Sequence, residues 1–541
     1  MMSVQPPPVA VKPRRNLILR LFTSIWLGVT LLALILAYSS AMSAYAPLRW
    51  AMEMTEMQAF RHWFFVLLIV LFLLAITAVT LFRTRWRLVN LGSHLSHAGL
   101  ILMSVGCIAY FGTKIEGDVR LDAPAILIRA RMGEQPMLVG RFRAAPGETW
   151  ARVLPDTRQA LALTVRDLTA DGVQPAAKAR LEVRVGDAAP RYLDLAAGGD
   201  DWQKITEILD VQLRGASARA VFYDDDRPTL YVRSPEGGEF AKAIPHLPLH
   251  RERYLPEGGP VRDAQNREVP SRRTTLQVRV LGIPIPTGWF EPWRMPIELD
   301  SEGLPFRVTI TGYIPAVRGL RAEQAADGSI RREPVLELAE NRRPDVGRSM
   351  SAIRIRFTGV GPAAGWTETQ WCLYSNYPDG DEVVQRLHVL PPGAAGPWEL
   401  IYSRARHELG ATVAARKAYV EYQPGQQNID TFHSDLLIQE PGGAVRPVNV
   451  STNETLQVGH WTLYQSNFDF QEHWAYTVLG VGNRTGLWAM NIGWMVVTAG
   501  CLFAFYVKPI LLRRRVPAGA GRAGTTAQRT PALVPSGGGQ S

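Results

Sequence analysis

The chain has 541 residues and a formal net charge of +10 at pH 7. That length exceeds one typical domain, and three cysteines exclude a disulfide-stapled fold. The basic residues cluster at the ends of apolar segments, so the charge reads as a topology signal and is poor evidence for nucleic-acid binding.

Residues 1–16 are polar, basic and proline-bearing and are expected to be a disordered tail. A first transmembrane helix is predicted over 17–43. Its basic start and small-residue end imitate a signal peptide, but the apolar run is longer than the roughly 7–15 residues of a signal core, which predicts an uncleaved span. In the short connection that follows, Trp50, Met54, Met57 and Phe60 recur at helical spacing and predict a helix lying on the membrane surface. With Met52, these methionines read as apolar filling: no Cys or His cluster joins them as soft metal ligands.

Residues 63–82 and 88–112 are the second and third predicted spans, each near the roughly 20 residues needed to cross the hydrocarbon core. A tight turn bearing Arg83, Arg85 and Arg87 makes them an antiparallel hairpin. Residues 113–484 then read as a large all-β, sandwich-like domain, in one piece or two lobes. LEVRV (181–185), TLQVRV (275–280), FRVTITGYI (306–314), AIRIRF (352–357) and KAYVEY (417–422) alternate in the manner of half-buried strands. Proline-rich stretches at 281–296 and 359–366 are candidate lobe boundaries. A fourth span is predicted over 485–511, and 512–541 is a second disordered tail. Basic residues on both tails and in the arginine turn place these in the cytoplasm and the β domain on the opposite side.

Cys107 and Cys501 fall in predicted spans, where they serve as small packing residues, and Cys372 stands alone in the β domain. There is no CxxC redox pair, CxxCH haem-attachment site, nucleotide-binding glycine loop, HExxH or GxSxG.

The chemistry concentrates in the third span, which carries His94 and His97. A rise of 1.5 Å per residue puts His94 roughly 10 Å and His97 roughly 15 Å beyond Arg87. Neutral imidazole ligates iron, and Arg83, Arg85 and Arg87 are placed to pair with carboxylates, the layout of a haem with its two propionates. Neighbours on one helix cannot approach iron from opposite faces, so a second ligand must come from another helix or another chain. The plainer alternative is that each histidine donates a hydrogen bond within a bundle. A proton relay is a third, although no Asp or Glu lies in any span to continue it. His246 and His250 are separated by helix-breaking prolines and read as loop. His62 and His473 precede the second and fourth spans and could meet at the outer face.

RWRLVNLGSHLSHAGLILMSVG, its exit FGTKIEGDVRL and the second-span entry FRHWFF resemble the ResB family, the system II cytochrome c biogenesis proteins. So do KAYVEYQPG, FHSDLLI and PVNVSTNETLQVGHWTLYQSNF, in which Ser434, Asp435, Val448, Asn449, Gly459, Tyr464, Gln465 and Ser466 fall where that family's pattern is expected. The resemblance covers the first 120 residues and about 415–468; the middle matches by architecture only, and YTVLGVGNRTGLW departs from the pattern. It implies a multi-pass protein of the bacterial plasma membrane, its large domain periplasmic and both termini cytoplasmic. It implies a ResC/CcsA-type partner with a tryptophan-rich haem-handling segment, apocytochrome c as client, and a thioredoxin-like protein that indirectly keeps client thiols reduced. Haem b would be moved outward and joined to CxxCH thiols by a complex in which this chain is a non-autonomous subunit. The third-span histidine would be an inner haem ligand paired with a histidine of the partner. His97 is favoured over His94, because it lies deeper and HAGL fits the family pattern better. Ser434, Asp435, Asn449 and Gln465 read as sheet- and turn-fixing residues rather than catalysts. The competing reading is a membrane scaffold that clamps partners through its β domain without binding haem. A sensor is disfavoured, because neither tail is long enough for an output domain.

Overall fold

The computed structural model describes residues 17–513 apart from several short loops and most of 245–294 and 337–350. The tails, His246, His250 and His473, and the proline-rich stretch 286–294 lie outside the described residues. The chain forms two compact units, one helical and one β.

Among the described residues, four helices are long and apolar enough to cross a membrane: Ile25–Ala44, Trp63–Phe82, Leu88–Thr113 and Leu487–Leu512. The first departs from the expectation of one helix from residue 17. A short helix, Leu17–Phe22, is separated from Ile25–Ala44 by Thr23 and Ser24. The Thr23 hydroxyl donates to the Leu19 carbonyl (2.7 Å), and Arg83 Nη1 donates to the Thr23 carbonyl (2.8 Å), so the break has its own polar partners. Leu68, Phe72, Ala75 and Ile76 of the second span pack with Leu31 of the first. The third span opens with a 3₁₀ turn, Leu88–Asn90, before its α-helix from Leu91. The fourth widens into a π turn at Phe503–Val507.

Glycine sets how the third and fourth spans meet. Gly92, Gly99 and Gly106 recur every seven residues, as do Gly486, Gly493 and Gly500. A heptad keeps residues near one helix face. A Cβ at Gly92 would lie 2.7 Å from the Gly500 carbonyl oxygen, one at Gly99 2.6 Å from that of Gly493, and one at Gly106 3.1 Å from that of Gly486. The two backbones therefore approach at three levels where a side chain on either would not fit.

The β unit is organised by a curled ten-stranded antiparallel sheet. Eight strands lie side by side in the order Arg446–Ser451, Ile429–Gln439, Trp398–Tyr422, Ala218–Arg233, Glu116–Asp122, Tyr476–Asn483, Trp461–Phe468 and Leu456–Val458. Its two ends approach each other, so the sheet is nearly closed. Val119, Leu121, Val413, Leu436, Leu463 and Leu479 fill its interior. The central pairing joins the two ends of the unit's sequence: Glu116–Asp122 runs antiparallel to Tyr476–Asn483 through seven register pairs, from Glu116↔Gly482 to Asp122↔Tyr476.

Two lobes are built on this sheet. Residues 125–214 form a sandwich of two four-stranded sheets with its own core, including Ile126, Phe142, Leu163 and Val211. Its ends meet: Asp122 N–H donates to Ser217 Oγ (2.7 Å), and Ser217 N–H donates to the Asp122 carbonyl (2.9 Å). A further sheet, Ile297–Leu299, Phe306–Ile314, Ala352–Gly359 and Thr367–Leu373, covers the first half of Trp398–Tyr422 around Phe306, Phe357, Leu400 and Tyr402. The alternating stretches at 181–185, 306–314, 352–357 and 417–422 are all strands. The stretch 359–366 is no lobe boundary: it is the hairpin joining Ala352–Gly359 to Thr367–Leu373, closed by Gly359 N–H donating to the Trp366 carbonyl (2.9 Å).

Candidate functional site

The hairpin of the second and third spans gives its two histidines different surroundings. His94 is buried beside the arginine turn, its ring stacked on Trp86 at 4.1 Å with 11° between planes. The Arg85 carbonyl accepts from Asn90 Nδ2 (2.9 Å) and faces His94 Nε2 (3.4 Å). A carbonyl only accepts, so it favours the tautomer with the proton on Nε2. His94 Nδ1 is then an enclosed lone pair with no hydrogen-bond partner among the described residues. The atoms enclosing that nitrogen would have to move before it could meet a ligand.

His97, one turn deeper, is half-buried and faces the second span. Its Nδ1 lies 2.8 Å from Thr80 Oγ1. Thr80 is itself fixed by donating to the Ile76 carbonyl at 2.6 Å, the usual back-bond of a threonine inside a helix. His97 Nε2 has no partner among the described residues. The chain thus offers one oriented imidazole with an unengaged nitrogen. No group of three His, Cys, Asp or Glu that could hold a metal ion occurs among the described residues.

Of the turn arginines, Arg83 is tied to the Thr23 carbonyl, while Arg85 and Arg87 are exposed and form no ion pair among the described residues. These two guanidiniums have charge free to meet an anionic group.

The short helix before the second span is Glu56–Arg61, started by a capping box in which Gln58 N–H donates to Thr55 Oγ1 (3.1 Å) and Thr55 N–H to Gln58 Oε1 (3.2 Å). Phe60 stacks on Phe111 at 4.7 Å. Trp50 lies outside the described residues. His62 ends this helix, where burial pushes its ring below the ordinary histidine range.

The polar residues that carry the resemblance at 415–468 serve the sheet. Ser434 is fully buried and donates to Gln465 Oε1 (2.6 Å), with Thr477 Oγ1 at 2.8 Å, while Gln465 Nε2 donates to Thr477 Oγ1 (3.0 Å). Three strands are thereby linked through side chains. Asn449 Nδ2 donates to Asp435 Oδ1 (2.7 Å) across its register pair. The Tyr464 ring lies where a Cβ at Gly480 would sit, and its hydroxyl donates to Glu116 Oε1 (3.2 Å).

One charged cluster was not anticipated from the sequence. Arg404 is buried and forms a two-point ion pair with Asp118 (2.8 and 3.1 Å), while Nη1 also donates to Asp225 Oδ1 (2.5 Å). Its Nε donates to the Asn376 carbonyl (3.1 Å), and Tyr377 lies 5.0 Å beneath the guanidinium. Burial opposes the charge on Arg404, but the two carboxylates outweigh it and hold the group well above the usual arginine value. Asp225 stands in a register shift between Asp224 and Pro228 that turns the chain out of the ladder. Asp224, buried on the other side of that shift, faces His407 Nε2 at 3.3 Å. The signal that could have revealed this was FYDDDRP at 222–228, three consecutive carboxylates interrupting an otherwise alternating strand.

Comparison with protein-family models and with curated proteins returned no match in either case.

Proposed function

We propose that this chain is a ResB-like subunit of a system II cytochrome c synthase in the bacterial plasma membrane, handing haem b outward for attachment to the CxxCH thiols of apocytochrome c. The observation that carries the reading is His97, whose Nδ1 is engaged by Thr80 while Nε2 is left unengaged within a span. An ionisable ring inside a span is costly, which makes it a candidate functional group. Haem is substrate here, and its iron takes an axial nitrogen. His97 supplies that nitrogen, Arg85 and Arg87 at the turn attract the carboxylate edge, and the partner, a ResC/CcsA-type protein, brings the second imidazole. The β unit faces outward and receives partner and client. Holding client thiols against the haem vinyls is an orientation effect, which needs no acid or base from this chain.

The test is co-purification with such a partner, reading haem absorbance and c-type cytochrome yield. His97→Ala should lower haem content by roughly tenfold or more, at least the scale on which losing an outer-shell partner weakens a metal site. His94→Ala should retain most of it, because His94 Nδ1 is enclosed. Wild-type haem and yield in His97→Ala, His94→Ala and the double variant would reject the reading in favour of a scaffold that binds no haem.

A further inference from the structure

Resting on the haem-ligand reading of His97, we infer that Thr80 is the positioning residue that selects which ring nitrogen of His97 can ligate. The hydroxyl has one proton and its oxygen has two lone pairs. At 2.6 Å from the Ile76 carbonyl, a group that can only accept, that proton is already committed along the second span. What Thr80 Oγ1 then presents to His97 Nδ1, 2.8 Å away, is a lone pair. The ring answers by carrying its proton on Nδ1, so the Nε2 lone pair is left for a ligand. His97 is thereby committed to one tautomer and one ring orientation before any haem arrives. This is the work done elsewhere by a carbonyl or carboxylate behind a ligating histidine. Here a threonine does it, and its back-bond to Ile76 is what converts a two-way hydroxyl into an acceptor. The contrast with His94 is direct, since there the Arg85 carbonyl favours the proton on Nε2 and leaves the lone pair on a buried Nδ1.

The experiment reads proton position in the full chain without haem. The protein is labelled with ¹⁵N-histidine, and the His97 ring nitrogens are assigned by their disappearance in His97→Ala. In wild type, the protonated nitrogen should be Nδ1. Thr80→Val keeps the side-chain shape but removes the acceptor, so the ring should shift to the Nε2–H form or to a mixture. Thr80→Ser, which can repeat the back-bond, should restore the wild-type spectrum. A wild-type ring protonated on Nε2, or an unchanged tautomer in Thr80→Val, overturns the inference. With the partner present, Thr80→Val should weaken haem affinity about tenfold and Thr80→Ser should recover it. Equal haem affinity in Thr80→Val and wild type would also overturn it. Failure of the haem reading is distinguishable: haem would then persist in His97→Ala while the wild-type and Thr80→Val spectra still differ in tautomer as expected.

Discussion

At the scale of single residues, the β unit places one arginine where it has to satisfy several acids. Asp118 and Asp225 reach Arg404 from different strands, so the guanidinium ties them together. Desolvation raises the Asp225 carboxyl to about 6, helped by Asp118 and opposed by Arg404. An acid raised in the folded state holds a proton that the unfolded chain releases, so stability falls as pH climbs from about 3.8 to about 6 and is flat above. With 54% of the Asp225 side chain exposed, solvent screening limits the swing to about 1 kcal/mol or less. Asp225→Asn should therefore flatten the melting temperature of the purified chain across that interval, and an unaltered slope would remove Asp225 as its source. Arg404→Leu should be far more damaging, about 3–5 kcal/mol, because Asp118 is then left partly buried with no counter-charge. Loss of only a few tenths in chemical denaturation would contradict that. The placement of His94 and His97 within a long apolar helix was legible from the sequence, because an imidazole in an apolar run stands out. The Arg404 cluster was not, because its acids come from positions 118 and 225, and no local spacing links them.

At the scale of elements, the helical hairpin and the glycine-lined pairing carry the helical unit. The long apolar runs made the second, third and fourth spans legible to within a few residues. The break at Thr23 and Ser24 was hidden, since neither residue interrupts an apolar run strongly enough to mark an end. Thr80 was equally hidden: it is an ordinary polar residue in a span until the turn sets it opposite His97. The two sevenfold glycine repeats were visible in the sequence, but their meaning depends on the third and fourth spans being partners. Gly99→Leu or Gly493→Leu should force those helices apart, with a cost of about 1–3 kcal/mol from overpacking. Gly28→Leu, in the first span with nothing within 4 Å of its Cβ position, is the matched control and should be near neutral. Heating the detergent-solubilised variants and following aggregation separates the outcomes; equal sensitivity of all three would show that the close approach contributes nothing.

At the scale of the whole molecule, alternation made the strands legible but not their order. The strand Glu116–Asp122 takes its neighbour from Tyr476–Asn483, at the far end of the unit's sequence, and nothing local encodes that choice. The sandwich at 125–214 is likewise readable as strands but recognisable as a self-contained insertion only when Asp122 and Ser217 are seen to bond to each other. Replacing 123–216 by a short glycine linker should leave the remainder of the β unit folded, with its limited-proteolysis pattern otherwise unchanged. Collapse of the whole unit would mean that the sandwich core supports the curled sheet.

The pairing of the first and last strands of the β unit also sets a timetable. Ribosomes release the chain from its N-terminus, so Glu116–Asp122 and the glycine face of the third span exist long before either partner has been synthesised. Both wait for the same late segment, residues 476–513. A nascent chain therefore carries an open sheet edge and an open helix face while more than 350 residues are added between them and their partners, an interval in which chaperone or lipid would shield them. Premature stop codons anywhere before residue 476 should all produce the same failure, whatever length of β unit precedes them. In this protein a segment made late is the latch for two elements made early.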